Sequence, residues 1–308
     1  MAIYLGMVIL AALPVIAALK AFSFLLPAQT GGENIASAIN IAFMLGIDIA
    51  LVLAAWITLR WIDRRPFVML GMSFSLVGLK ELLAGLAFGF LYLTLCFLIL
   101  RVSGLLDVTF SGMGSQTLNT LLTYLIVFTV AGVLEEVVNR GYLFQVFIEG
   151  TRAWIAILVF SFIFSLVHVF NEDFSWVGGI CLFLHGILFG LLYFKTRSLW
   201  VPIGLHVAWN WTQGPLWGMK VSGTGIGHTI MVSVPRGPEL LSGGEFGAEG
   251  SLITVIVSAA LLLYVWKAKW IRPTEEMAAM WSRYPAGFGL APSEPGDSRD
   301  PLITPASD

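Results

Sequence analysis

The sequence predicts an all-helical membrane bundle, and three observations support this fold class. Of the 308 residues, 57% are hydrophobic and only 12% are charged, whereas soluble proteins carry about 25% charged residues. The mean hydropathy is +0.86. The apolar runs are too long for the strands of a membrane barrel, and several approach the ~20 residues that a helix needs to cross a bilayer. We therefore predict a polytopic bundle of about eight transmembrane helices around a buried polar cavity.

Apolar runs bounded by Pro, Gly or charged residues define the predicted spans. In chain order they are Ile3–Leu26, Ile35–Leu59, Leu82–Leu100, Leu118–Phe147, Trp154–Phe170, Val177–Phe194, Leu199–Trp211 and Ser251–Trp266. The first run lacks the basic region and the small-residue cleavage site of a signal peptide, so we expect it to be retained as a span.

The segments between the spans complete the predicted organisation. Phe67–Leu79 mixes apolar residues with Gly and Ser and predicts a short helix in the membrane interface. Gly104–Ser115 and the Gly/Pro-rich Gly214–Gly250 are predicted loops. Residues 1–271 then form a single transmembrane domain, with a motif-bearing core over 118–212. Residues 272–308 are rich in polar residues and predict a disordered cytoplasmic tail.

The distribution of Lys and Arg predicts the orientation, because cytoplasmic loops carry an excess of these residues. With the N-terminus inside, ten fall in cytoplasmic segments and four in outer segments. The cytoplasmic set is Arg60, Arg64, Arg65, Lys80, Arg152, Lys195, Arg197, Lys267, Lys269 and Arg272, and the outer set is Lys20, Arg101, Lys220 and Arg236. We predict an integral protein of the plasma membrane with both termini in the cytoplasm.

Composition also limits the partners. The net charge of -2 gives no indication of nucleic-acid binding. Cys96 and Cys181 both fall inside apolar runs, which predicts buried thiols rather than a disulfide. The lipid bilayer is the first expected partner.

The chemistry centres on Ala131–Phe147, where Glu135, Glu136 and Arg140 interrupt an apolar helix. A charge in the bilayer core costs at least ~2.5 kcal/mol, so such residues pair in the protein interior and often mark a functional site. Glu136 and Arg140 are four residues apart and share a helix face. Glu135 lies about 140° from Arg140 and is less easily neutralised. A poorly compensated carboxylate of this kind is a candidate general base.

Two histidines on other spans complete the candidate site. His168 ends the fifth span, and His206 follows the start of the seventh, with Asn210 one turn beyond it on the same face. Together with Glu135 these side chains could converge on one cavity. A carboxylate, two imidazoles and an amide can activate a water and stabilise an oxyanion, and they could equally form a metal site.

Three other polar residues in apolar or loop surroundings are interpreted as structural. His185 in the sixth span is expected to make a hydrogen bond between helices. His228 in the outer loop and Asp48 in the second span are expected to have structural roles.

The motifs resemble those of the CAAX prenyl protease type II family, also called the CPBP or ABI intramembrane proteases. The resemblance is carried by E-E-x-x-x-R at Glu135–Arg140, F-x-x-x-H at Phe164–His168 and H-x-x-x-N at His206–Asn210, in this order on the fourth, fifth and seventh spans. It covers about Leu118–Thr212. The resemblance implies a fold of about eight spans whose polar cavity opens toward the cytoplasm.

The resemblance also implies an activity and residue roles. The implied reaction is peptide-bond hydrolysis in a membrane-associated, possibly prenylated substrate. Glu135 activates the water with help from His168, while His206 and Asn210 stabilise the oxyanion. Glu136 and Arg140 hold Glu135 in place.

The family has been described both as metalloproteases and as metal-independent glutamate proteases. The sequence lacks the zinc-protease motif H-E-x-x-H, which favours a metal-free glutamate mechanism with no cofactor. If a divalent metal such as zinc binds, the expected ligands are Glu135, His168 and His206.

Two functions of other classes compete with the protease. A non-proteolytic immunity or partner-binding membrane protein would keep the Glu-Glu-Arg-His cluster as a structural network. A proton-coupled transporter is disfavoured because the sequence shows no internal repeat.

Overall fold

A computed structural model of the chain describes residue 46 and residues 48–282. Within this part, helices dominate and the only sheet has two strands, so the predicted all-α class is confirmed. The predicted span Ile3–Leu26 and the start of Ile35–Leu59 lie outside the described residues, as does the tail beyond residue 282.

The regular elements follow the chain in this order. The α-helices are α1 (residues 48–57), α2 (Leu76–Val102), α3 (Ser115–Arg140), α4 (Tyr142–Gly150), α5 (Ala153–Val167), α6 (Trp176–Thr196), α7 (Trp200–Trp211), α8 (Glu239–Ser242), α9 (Leu252–Lys267) and α10 (Glu275–Ser282), and the strands are β1 (Leu106–Phe110) and β2 (Met231–Pro235). Short π-helical turns occupy Thr58–Ile62 and Thr212–Leu216, and 3-10 turns occupy Phe67–Leu70, His168–Phe170, Gly244–Phe246 and Ala248–Gly250.

Four helical segments in the described part of the chain are long and apolar enough to cross a membrane. They are Leu76–Val102, Ser115–Gly150, Ala153–Phe170 and Trp176–Thr196. These segments match the predicted third to sixth spans, so the chain is an integral membrane protein. The predicted seventh and eighth spans form helices of 12 and 16 residues, shorter than a full span. The count of about eight stays a prediction.

The predicted fourth span is divided at Gly141, directly after Arg140. A Cβ at Gly141 would lie 2.1 Å from the carbonyl oxygen of Val137, so the bend requires glycine. The bend ends α3 just beyond the charged cluster and starts α4 in a new direction.

Glycines allow α2 and α7 to pack with their backbones in contact. A Cβ at Gly85 would lie 2.2 Å from the carbonyl oxygen of Val201, and a Cβ at Gly204 would lie 2.4 Å from that of Leu82. Small residues commonly permit such close packing between membrane helices. This contact fixes α7, the helix that carries His206.

Both predicted loops contain a strand. Leu106–Phe110 from the first loop pairs antiparallel with Met231–Pro235 from the second, with Val108 opposite Ser233. The pairing joins segments more than 120 residues apart in the sequence, and local composition carries no signal for such a contact.

The predicted interfacial helix at Phe67–Leu79 is wrong. Only Phe67–Leu70 forms a 3-10 turn, and α2 already begins at Leu76. The Ser75 side chain caps α2 by accepting hydrogen bonds from the backbone N–H groups of Val77 and Gly78. An N-cap serine is a strong helix start, so the third span begins earlier than the apolar run indicates.

The first part of the predicted disordered tail is ordered. Glu275–Ser282 forms α10, in which Met277 and Trp281 are buried. The polar composition predicted disorder here. A helix of this length is not stable alone, but packing of Met277 and Trp281 against the bundle stabilises it.

Candidate functional site

The buried ion pair predicted from the helix spacing is present in α3. An Arg140 guanidinium nitrogen lies 2.9 Å from Glu136 Oε1, and both side chains are at most 1% exposed. Arg140 also donates to the carbonyl oxygen of Gly186 and lies over the rings of Phe164 and Phe189. The arginine is therefore held by contacts with three helices.

Glu136 makes a second contact, which the helix geometry could not predict. Its Oε1 lies 3.0 Å from Nδ1 of His206 in α7. Glu136 thus bridges Arg140 and His206. We expected Glu136 and Arg140 to hold Glu135, and in the structure their side-chain hydrogen bonds join them to each other and to His206.

Glu135 occupies the other side of the same imidazole. Its Oε2 lies 3.9 Å from Nε2 of His206, and its side chain is 29% exposed, in contrast to the fully buried Glu136. His206 therefore has one carboxylate near each ring nitrogen. Asp48 in α1 is near enough to Glu135 for the two carboxylates to repel each other.

His168 lies in the 3-10 turn that ends α5. Its Nδ1 is 2.7 Å from the carbonyl oxygen of Phe164. Because a carbonyl can only accept, Nδ1 carries the proton in this contact and Nε2 remains available as an acceptor in the neutral ring.

Four of the six predicted site residues line one cavity of about 100 Å³, which can hold about three water molecules. These four are Glu135, His168, His206 and Asn210. Glu136 and Arg140 are not among the lining residues and support the cavity through His206. The three spans named in the sequence analysis therefore meet at one cavity. The structure adds that four of the six residues line it and that two support it from behind.

The cavity has further polar lining residues that were not predicted as site residues. They are Asn171, His185, Trp209, Ser222 and Glu249. His185 makes the interhelical hydrogen bond that we expected, to Tyr92 Oη at 3.0 Å. Glu249 lies in a glycine-rich segment, and only its burial in the folded chain reveals it.

The expected ligands of a bound metal, Glu135, His168 and His206, all line the cavity, and metal binding by them stays a prediction. The described part of the chain contains no group of three or more His, Cys, Asp or Glu side chains placed to hold a metal ion. Nδ1 of His168 contacts the Phe164 carbonyl and Nδ1 of His206 contacts Glu136, and a histidine held in this way can still bind a ligand through Nε2.

The fold and the cavity define a polytopic helical membrane protein with two glutamates and three histidines lining an internal polar cavity. Residues 117–212 match the family described as Rce1-like, type II CAAX prenyl endopeptidases. The resemblance predicted from the three motifs is thereby confirmed over this segment.

A bacterial relative agrees with this family match. The chain is 29% identical over 119 residues to a Bacillus subtilis (strain 168) protein named "Putative membrane peptidase YdiL". The aligned region is 35% of this chain and 47% of that protein, so the chain spans about half the length of this relative. No solved structure matches the chain.

Proposed function

We propose that this chain is an intramembrane endopeptidase in which Glu135 activates the attacking water. The observation that carries the proposal is the pair of glutamates on either side of His206, with only Glu135 facing the cavity. The matched family and the relative's name both support a membrane peptidase.

In the proposed first step, Glu135 removes a proton from a water in the cavity, assisted by Nε2 of His168. The resulting hydroxide adds to the carbonyl carbon of the peptide bond, and the carbonyl oxygen becomes an oxyanion. Asn210 donates to that oxyanion through its amide N–H. His206, when protonated on both nitrogens, donates Nδ1–H to Glu136 and Nε2–H to the oxyanion. Donors aimed at developing charge lower the barrier most effectively in a site with little water.

In the second step the tetrahedral intermediate collapses and the C–N bond breaks. The proton held by Glu135 passes to the leaving nitrogen, which departs as an amine, while the other product is a carboxylic acid. Glu136 and Arg140 do not touch the substrate in this scheme. They position His206 and balance the buried charge.

We also propose the plasma membrane and a cytoplasmic position for both termini, on the ten-to-four distribution of Lys and Arg. The cavity lining includes Asn171, Val221, Ser222 and Glu249, which belong to the two loops that this distribution assigns to the outside. The cavity then lies toward the outer face. This is incompatible with the cytoplasmic opening that the family resemblance implies. The proposed substrate is accordingly a membrane-associated polypeptide reached from outside. If the protein has the opposite orientation, the cavity opens toward the cytoplasm and the proposed substrate is a prenylated polypeptide.

The decisive experiment compares the purified protein with its Glu135→Gln variant on quenched fluorogenic peptides, one set prenylated and one set unprenylated. Removing a general base typically lowers the rate about 10²–10⁴-fold. We therefore expect the cleavage rate to fall by at least about 10²-fold while the melting temperature stays unchanged. Glu239→Gln is the matched control, because this carboxylate is exposed and is not among the residues that line the cavity. Full activity in Glu135→Gln would disprove the mechanism.

A non-proteolytic immunity or partner-binding protein remains the second candidate. The observation that favours it is the buried network of Arg140, Glu136 and His206, in which the side chains find their partners within the chain. Under this function neither protein would cleave any peptide, and the substitutions would lower stability instead of a rate.

A further inference from the structure

Glu249 is a buried carboxylic acid of the cavity to which the proposed mechanism gives no role. It lies in the 3-10 turn Ala248–Gly250 and is 1% exposed, yet it lines the same cavity as Glu135. It is outside residues 117–212, the segment that matches the family.

The hydrogen bonds of Glu249 come from three different parts of the chain. Its Oε1 accepts from Nε1 of Trp209 at 3.1 Å and from Oγ of Ser222 at 3.4 Å. Its Oε2 accepts from Nε2 of Gln213 at 2.5 Å. All three donors are neutral. Backbone N–H groups of Ser222 and of Glu249 itself also contribute hydrogen bonds to this carboxyl, and they are neutral as well.

The carboxylate has no cationic partner in the described part of the chain. The two basic residues of the same loop are paired elsewhere: Lys220 contacts Asp173 at 2.9 Å and Glu245 at 2.6 Å, and Arg236 contacts Asp107 at 2.6 Å. Burial raises the pKa of the Glu249 carboxyl, and the hydrogen bonds from Gln213 and Trp209 partly oppose this effect. A buried carboxylate is costly unless it is paired with a positive charge, so the environment favours a cation that enters the cavity.

We propose that Glu249 forms a cation subsite of the cavity and that the group it binds is an ammonium. A volume of about 100 Å³ accommodates an ammonium head with a short alkyl chain. The subsite would bind a lysine side chain of the substrate or the amine released by cleavage, and this role rests on the proposed peptidase function. The binding of an ammonium to Glu249 does not depend on that function.

The test measures binding without catalysis. Thermal unfolding of the detergent-purified chain is followed with n-propylammonium chloride and with 1-propanol, which has a similar size but no charge, with sodium chloride matching the ionic strength. At about pH 8 the amine is protonated. We expect an apparent affinity for the ammonium at least ~10-fold higher than for the alcohol, a ratio that charge-assisted hydrogen bonding can supply.

Two variants locate the bound ammonium. Glu249→Gln should lose the preference for ammonium, and Glu135→Gln, which changes the other cavity carboxylate, should keep it. The proposal is overturned if the unmodified protein does not distinguish the two probes, if Glu249→Gln keeps the preference, or if Glu135→Gln loses it. If Glu249→Gln does not fold, the unmodified protein and Glu135→Gln still test the proposal, because both should prefer the ammonium to the alcohol. Ammonium binding without peptidase activity would support the subsite while refuting the peptidase.

Discussion

The cavity has two walls built in different ways. The helical wall consists of Glu135, His168, His206 and Asn210, and the loop wall consists of Asn171, Val221, Ser222 and Glu249. Behind the helical wall, the buried carboxylate of Glu136 is paired with a guanidinium and an imidazole. In the loop wall, the buried carboxylate of Glu249 has only neutral donors.

This difference separates two tasks. A carboxylate whose charge is already balanced can hold a neighbour in a fixed position, as Glu136 holds His206. A carboxylate surrounded by neutral donors retains its attraction for a positive charge from outside the chain. The helical wall is therefore suited to catalysis, and the loop wall is suited to recognising what enters the cavity.

The largest expected contrast concerns the side of the membrane on which the loop wall lies. Two variants carry a single new cysteine, Thr224→Cys in the loop that carries Ser222 and Lys269→Cys at the opposite end of the bundle. Intact cells that express each variant are treated with a membrane-impermeant maleimide. Native Cys96 and Cys181 are buried and free, as predicted, and should not react with the maleimide. We expect labelling at position 224 in intact cells and at position 269 only after permeabilisation. The reverse pattern would place the cavity on the cytoplasmic side and favour a prenylated substrate.

The ion pair behind the helical wall should give the largest change in stability. Arg140→Ala leaves Glu136 buried without its cation, and breaking a buried pair in this way costs about 3–5 kcal/mol. The control is Arg236→Ala, which breaks a pair with Asp107 in which both side chains are more than half exposed. Exposed pairs contribute about 0–1 kcal/mol. Equilibrium unfolding in mixed micelles compares the two, and equal losses would refute the role assigned to Arg140.

The loop wall should respond least to loss of a single contact. Ser222→Ala removes one neutral donor, at 3.4 Å from Glu249, and leaves the donors Trp209 and Gln213 in place. We expect a loss of about 0.5–1 kcal/mol in the free energy of unfolding, near the lower end for a single hydrogen bond. The same unfolding measurement applies. A loss as large as that of Arg140→Ala would mean that the two walls do not differ in the way described.

The sequence alone determined the features that depend on local spacing. Apolar runs predicted the all-helical membrane fold. The four-residue spacing of Glu136 and Arg140 predicted their ion pair because the α-helix has 3.6 residues per turn. Motifs on the fourth, fifth and seventh spans predicted the residues of the helical wall, since packed helices can bring such positions together.

Only the tertiary structure decided the features that join distant segments. The strand pairing of β1 with β2, the docking of α10, the contact between Glu136 and His206 and the burial of Glu249 all depend on contacts between residues far apart in the chain. Periodicity and local composition report which face of an element is apolar, but they do not report which partner covers it. The polar residues that complete the cavity from a glycine-rich loop therefore became visible only in the folded chain.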